Sequence, residues 1–139
     1  MHRLVIAVIV CLLAATAYAA EPAPPAAQET ITTPSGMQYT SLKEGTGPSP
    51  KATDTVRVNY RGTLLNGREF DSSYRTGRPA EFRLDGVIKC WTEGLQLMKV
   101  GGKARLECPS NLAYGDNGIP GTIPPFATLT FEVELLSIE

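Results

Sequence analysis

An α+β domain, an antiparallel β-sheet wrapped around one short α-helix, is the fold class this sequence predicts. Three observations carry that expectation: stretches alternating apolar with polar residues, one stretch with helical spacing, and a glycine pair that ends the helix ahead of a strand. A chain of 139 residues with 42% hydrophobic and 19% charged residues describes one core. The 13 Lys+Arg against 14 Asp+Glu leave a net charge of −1, so no electrostatic footprint for nucleic acid or an anionic membrane exists.

The amino-terminal residues behave differently from the rest. Met1-His2-Arg3 is a short basic head, Leu4 to Ala15 is apolar apart from Cys11, and Ala17-Tyr18-Ala19 carries small residues at cleavage spacing. Residues 1–20 therefore read as a secretory signal peptide addressed to the periplasm. Its apolar stretch falls short of the ~20 residues a spanning helix needs, so no stable membrane insertion is expected after cleavage. Cleavage also removes His2, the only histidine. Ser-His-Asp triads, Cys-His dyads and imidazole zinc sites are thereby excluded, and neither cofactor nor metal is expected. Cys90 and Cys108 remain, an even number in a chain sent to an oxidising compartment.

Residues 21–34 contain Pro22, Pro24 and Pro25 and no large apolar residue except Ile31, and read as a flexible Pro/Ala-rich tether. The folded domain is expected over residues 35–139, and Gly45 to Pro50 reads as a surface loop. Over Thr55 to Leu65, Val56, Val58 and Tyr60 alternate with Arg57, Asn59 and Arg61, the period of a half-buried strand. Asn66-Gly67 then signals a type I′ hairpin returning through Glu69-Phe70-Asp71. Ile88 to Val100 has Trp91, Leu95 and Met98 on one helical stripe, stopped by Gly101-Gly102. Lys103 to Cys108 alternates again until Pro109, and Leu129, Phe131, Val133 and Leu135 alternate with Thr128, Thr130, Glu132 and Glu134 as the clearest strand. A single helix buries its stripe only by lying across a face of the sheet, which puts Trp91 where helix meets sheet.

Tyr114 to Phe126, with three glycines and three prolines, is too irregular for regular structure, and a long ordered loop in a compact domain is more often functional than not. Tyr60, Phe70-Asp71-Ser72-Ser73, Val87-Ile88, Trp91, Leu112-Ala113-Tyr114-Gly115, Ile123-Pro124-Pro125 and Phe131 to Leu136 occur in one order across residues 35–139. In this the chain resembles the FKBP-type peptidyl-prolyl cis-trans isomerases.

The resemblance implies an enzyme acting on proline-containing polypeptides, with macrolide inhibitors as candidate ligands. It implies Trp91 as the floor of a pocket walled by Tyr60, Phe70, Val87, Ile88, Ile123 and Phe131. The Ile88 backbone N–H and the Tyr114 hydroxyl would donate to substrate carbonyls, and Asp71 would hydrogen-bond Tyr60 and polarise the site. Asp71, Tyr114 and Phe70 are the residues it makes catalytic. Ala80 stands where many members carry an aromatic, so one wall is absent or comes from Phe82 or the loop. Thr76 stands where some members pair an arginine with the pocket aspartate, with Arg75 beside it. The other reading of the same pattern is a chaperone or adaptor that grips proline segments without turnover. The long helical extension through which some exported relatives dimerise is not apparent, so a monomer is expected.

Family members commonly carry glycine before the pocket tryptophan and an aliphatic residue at the end of the following strand, and here both are cysteine. A helix and strand joined by Gly101-Gly102 run antiparallel, which brings Cys90 and Cys108 together, so a disulfide is expected; the alternative is two buried thiols packing as small apolar residues. Gly101-Gly102-Lys103-Ala104 is not a phosphate loop, since it ends in alanine and follows a helix.

Overall fold

The structure, a computed structural model, describes residues 29–139. The expected signal peptide and most of the expected tether lie outside the described residues. Seven strands form one antiparallel sheet: β1 (Thr30–Thr32), β2 (Gln38–Lys43), β3 (Thr55–Leu64), β4 (Glu69–Ser72), β5 (Ala80–Arg83), β6 (Lys103–Cys108) and β7 (Leu129–Ile138). Two helices accompany them, the single turn α1 (Ser73–Thr76) and α2 (Lys89–Gln96). The strand order is β1-β2-β6-β7-β3-β4, with β5 also on β3.

Alternation sets which face is buried. Val56, Val58, Tyr60 and Leu64 of β3, Ala104, Leu106 and Cys108 of β6, and Leu129, Phe131, Val133 and Leu135 of β7 all turn inward. Against them lie Cys90, Trp91 and Leu95 of α2 and Met98 just beyond it. Gly94 makes the close approach possible, because a Cβ there would stand 2.9 Å from both methyl carbons of Leu106. The cysteines meet as a Cys90–Cys108 disulfide with Cα atoms 5.8 Å apart.

Four local expectations need correction. Thr30–Thr32, inside the expected tether, forms the edge strand β1, with Thr30 opposite Thr40 and Thr32 opposite Gln38. Its backbone covers an edge of β2 that would otherwise stand open. The β3–β4 hairpin is not type I′, which needs positive φ at both central residues. Gly67 has φ 86° but Asn66 does not, and the Leu64 N–H donates to the Arg68 carbonyl, leaving a three-residue loop with glycine at its left-handed position.

Helix α2 ends at Gln96 instead of Val100. The Val100 N–H donates to the Pro48 carbonyl while the Val100 carbonyl accepts from the Gly47 N–H, so the surface loop pulls the expected last turn out of the helix. Finally, α1 and β5 fill the stretch after Asp71 that sequence left unassigned. The Ser72 hydroxyl caps α1 by accepting from the Tyr74 N–H at 3.1 Å, and Gly77 ends it at φ 69°.

The disulfide closes an 18-residue separation between two fully buried positions. Denaturant unfolding of the oxidised and reduced protein should differ by about 3 kcal/mol in favour of the oxidised form, the loop-entropy value for such a span. Equal stability of the two forms would contradict it.

Candidate active site

The site grows from one indole. Trp91 is buried in the first turn of α2 and meets three rings edge-on: Tyr60 of β3 at 5.0 Å, Phe131 of β7 at 5.3 Å and Phe82 of β5 at 5.4 Å between centroids. Phe70 of β4 packs edge-on against Phe131 at 5.6 Å. Glycine at position 62 leaves room for that pair, since a Cβ there would fall 2.6 Å from the Phe70 ring and 2.9 Å from Phe131. The indole Nε1–H is buried without an oxygen or nitrogen acceptor, enclosed as it is by hydrocarbon rings.

Above Trp91 lies an open cavity of about 500 Å³ lined by Tyr60, Phe70, Asp71, Phe82, Gly86, Val87, Ile88, Trp91, Tyr114 and Phe131. The structure thus brings eight of the nine expected pocket residues to one cavity. Ile123 is the exception. Its side chain is buried in the core cluster with Tyr60, Trp91 and Phe131 and does not reach the cavity lining, while its N–H and carbonyl close a turn with Ile119. Phe82 supplies a wall beside Ala80, and Gly86 was missed. The signal for Phe82 was the alternation of Ala80, Phe82 and Leu84 with Glu81 and Arg83.

Polar groups at the cavity are few. The Tyr60 hydroxyl donates to Asp71 Oδ2 at 2.6 Å, and the Ser72 N–H donates to Asp71 Oδ1 at 2.9 Å. Burial, the hydrogen bond to Asp71 and that carboxylate's charge hold the Tyr60 phenol far above its ordinary pKa. Tyr114 is raised too, by burial first and then by the charge of Asp71. Arg75 pairs with Glu69 at 2.7 Å and not with Asp71. Two donors remain free: among the described residues neither the Ile88 N–H nor the Tyr114 hydroxyl has an acceptor. Ile88 precedes α2 as its N-cap, and Tyr114 stands 40% exposed on the loop.

Aromatic walls that hold and a few convergent polar groups that orient define a small-ligand or peptide cavity. A family model for FKBP-type peptidyl-prolyl cis-trans isomerase matches residues 47–136, and the chain belongs to that family. The FKBP-type peptidyl-prolyl cis-trans isomerase FkpA of Escherichia coli (strain K12) is 55% identical over 108 residues, covering 78% of this chain and 40% of the relative. The crystal structure of FkpA from Escherichia coli superposes with a TM-score of 0.77 at 53% identity, over 79% of this chain and 51% of that one. A peptidyl-prolyl cis-trans isomerase structure from Pseudomonas syringae gives 0.75 at 44% identity, over 79% and 80% of the two chains. The chain therefore spans about two fifths of the curated FkpA sequence.

Both raised phenols hold their protons more firmly folded than unfolded, so their contribution to stability is complete below the unfolded value of ~10 and is lost as pH rises through the folded values. Denaturant unfolding should show stability falling steadily above about pH 10, with a shallower fall in Tyr60→Phe. Identical slopes in the two proteins would count against the raised Tyr60 phenol.

Proposed function

We propose that this chain accelerates cis–trans isomerisation of X-Pro bonds in exported polypeptides without any covalent step. The observation carrying the proposal is the pairing of an aromatic-walled cavity with two unpartnered donors, the Ile88 N–H and the Tyr114 hydroxyl.

Rotation about an X-Pro bond is slow because the twisted state loses amide resonance, with a barrier of about 18–20 kcal/mol. An enzyme lowers it by binding the twisted amide better than the planar one. In this reading the proline ring rests on Trp91 between Tyr60, Phe70, Phe82 and Phe131, which exclude water from the bond. A twisted amide no longer shares its nitrogen lone pair with the carbonyl, and the low-polarity cavity favours that less charge-separated state. The Ile88 N–H and the Tyr114 hydroxyl hold the flanking carbonyls so that rotation occurs about one bond only. Asp71, fixed by Tyr60 and the Ser72 N–H, sets the local potential against which the carbonyl turns. Catalytic roles for Asp71, Tyr114 and Phe70, and binding roles for Tyr60, Val87, Ile88, Trp91 and Phe131, follow from this reading. Macrolide inhibitors are proposed to occupy the same cavity.

An exported, periplasmic setting is part of the proposal. It is supported by the pattern of residues 1–20 and by the Cys90–Cys108 disulfide, a bond that persists in oxidising compartments. Among the described residues no helix is long and apolar enough to cross a membrane.

In a protease-coupled assay on a short X-Pro peptide, Asp71→Ala and Phe70→Ala should each lower kcat/KM by about tenfold or more, with thermal stability close to the parent in Asp71→Ala and lowered in Phe70→Ala by the lost packing on Phe131. Tyr114→Phe keeps the ring and removes one donor, so a loss of roughly fivefold is expected. Full activity in the first two variants would remove the cavity from the mechanism. Protein recovered from the exporting host should begin at Ala20 or Glu21 and elute as a monomer. Intact residues 1–19 on N-terminal sequencing would overturn the export assignment.

A further inference from the structure

The edge of β3 that faces the site is shared by two strands and broken between them. Arg61 pairs with Ser72 of β4 and Val58 pairs with Ala80 of β5, so the chain leaves the edge between Ser72 and Ala80. Asn59 and Tyr60 have no strand residue opposite them on that side. In an antiparallel ladder the N–H and carbonyl of one residue point to the same neighbour, and a buried pair left open carries a desolvation cost. Here the open pair belongs to Tyr60. The Tyr60 N–H donates to Ser73 Oγ at 2.9 Å, and the Ser73 hydroxyl has the Asn59 Oδ1 at 3.2 Å and the Tyr60 carbonyl at 3.4 Å as acceptors. Ser73 is 4% exposed.

That hydroxyl stands two residues beyond Asp71, whose carboxylate accepts from the Tyr60 phenol at 2.6 Å. Both ends of the phenol–carboxylate contact are therefore anchored at one place: the Tyr60 backbone by the Ser73 side chain, and Asp71 by the chain segment leading into Ser73. We propose that Ser73 is a positioning residue for isomerisation, its hydroxyl standing in for the missing strand so that Tyr60 and Asp71 keep their alignment at the cavity wall. This rests on the isomerase reading above. An alanine at position 73 leaves the Tyr60 N–H without a partner, and the strand must shift or admit water to satisfy it. Either response moves the Tyr60 ring relative to Asp71 and Trp91. Threonine retains the oxygen and its proton.

Three measurements on the mature, oxidised protein test this. Ser73→Ala should lower kcat/KM on the X-Pro peptide by about tenfold, carried by kcat, with Ser73→Thr restoring most of it. In an Asp71→Ala background the same alanine should add less than about a twofold further loss, because both act through one pair. Ultraviolet titration, referenced to Tyr60→Phe, should find the Tyr60 phenol titrating well above an ordinary tyrosine in the parent and earlier in Ser73→Ala. A folded Ser73→Ala with parental kcat/KM and a phenol titrating as in the parent overturns the proposal. Should that variant not fold, Asn59→Ala, which removes one acceptor of the hydroxyl, must shift kcat and the phenol the same way but less far, and an unmoved phenol there overturns it equally. A parent without turnover would sink the isomerase reading, while the phenol titration still decides the role of Ser73.

Discussion

One buried indole holds this domain together. An eight-residue helix covers a seven-stranded sheet by burying Cys90, Trp91 and Leu95, and the largest of these side chains meets rings from three strands. Trp91 sits where Tyr60 from β3, Phe82 from β5 and Phe131 from β7 converge, and Phe70 from β4 joins through Phe131. Four strands are thus referenced to a single ring. Edge-on packing leaves the outer faces of this cluster uncovered, and the cavity is that uncovered part. Core and site are consequently one structure, the cavity walls being the outer faces of rings packed into the core.

The polar side of the site depends on a different device, the break in the sheet edge beside Tyr60. A continuous β4–β5 strand would have satisfied the Tyr60 backbone with another backbone. The chain instead leaves the edge just after Asp71, which stays paired opposite Gly62 while its two carboxylate oxygens accept from the Tyr60 hydroxyl and the Ser72 N–H. The Cys90–Cys108 bridge acts beside Trp91 in sequence, tying the start of α2 to the end of β6. Between the break and the bridge, Trp91 is held from both its helix and its sheet neighbours.

Strands β3, β6 and β7 were legible because each buries one face, so the period of two is written directly into Val56-Val58-Tyr60, Ala104-Leu106-Cys108 and Leu129-Phe131-Val133-Leu135. The helical stripe Trp91-Leu95-Met98 was legible for the same reason, yet the point where α2 stops was not. Pro48 and Gly47 set that point by bonding to Val100, and such a contact leaves no trace in local spacing. β1 was missed because all three residues of Thr30–Thr32 are exposed and carry no buried face to alternate. The aromatic cluster was read through its resemblance to a family, since spacing alone does not say which rings meet. Ile123 shows the limit of that route: the motif is present, but its side chain is buried in the core cluster and is not among the residues lining the cavity.

The strand that completes the sheet comes last in chain order. β7 lies between β6 and β3, and its pairing of Ile138 with Val56 spans most of the domain's length. Such long-range pairing has to wait until nearly all of the chain is available, and it makes folding slow compared with helical proteins of the same size. A chain cut short of Leu129, by truncation or interrupted synthesis, would leave β3 and β6 as two open apolar edges with nothing between them. Unpaired edges of this kind recruit strands from other molecules. The element that organises the finished domain therefore makes its unfinished forms prone to aggregate, and their clearance, not their function, becomes the cell's concern.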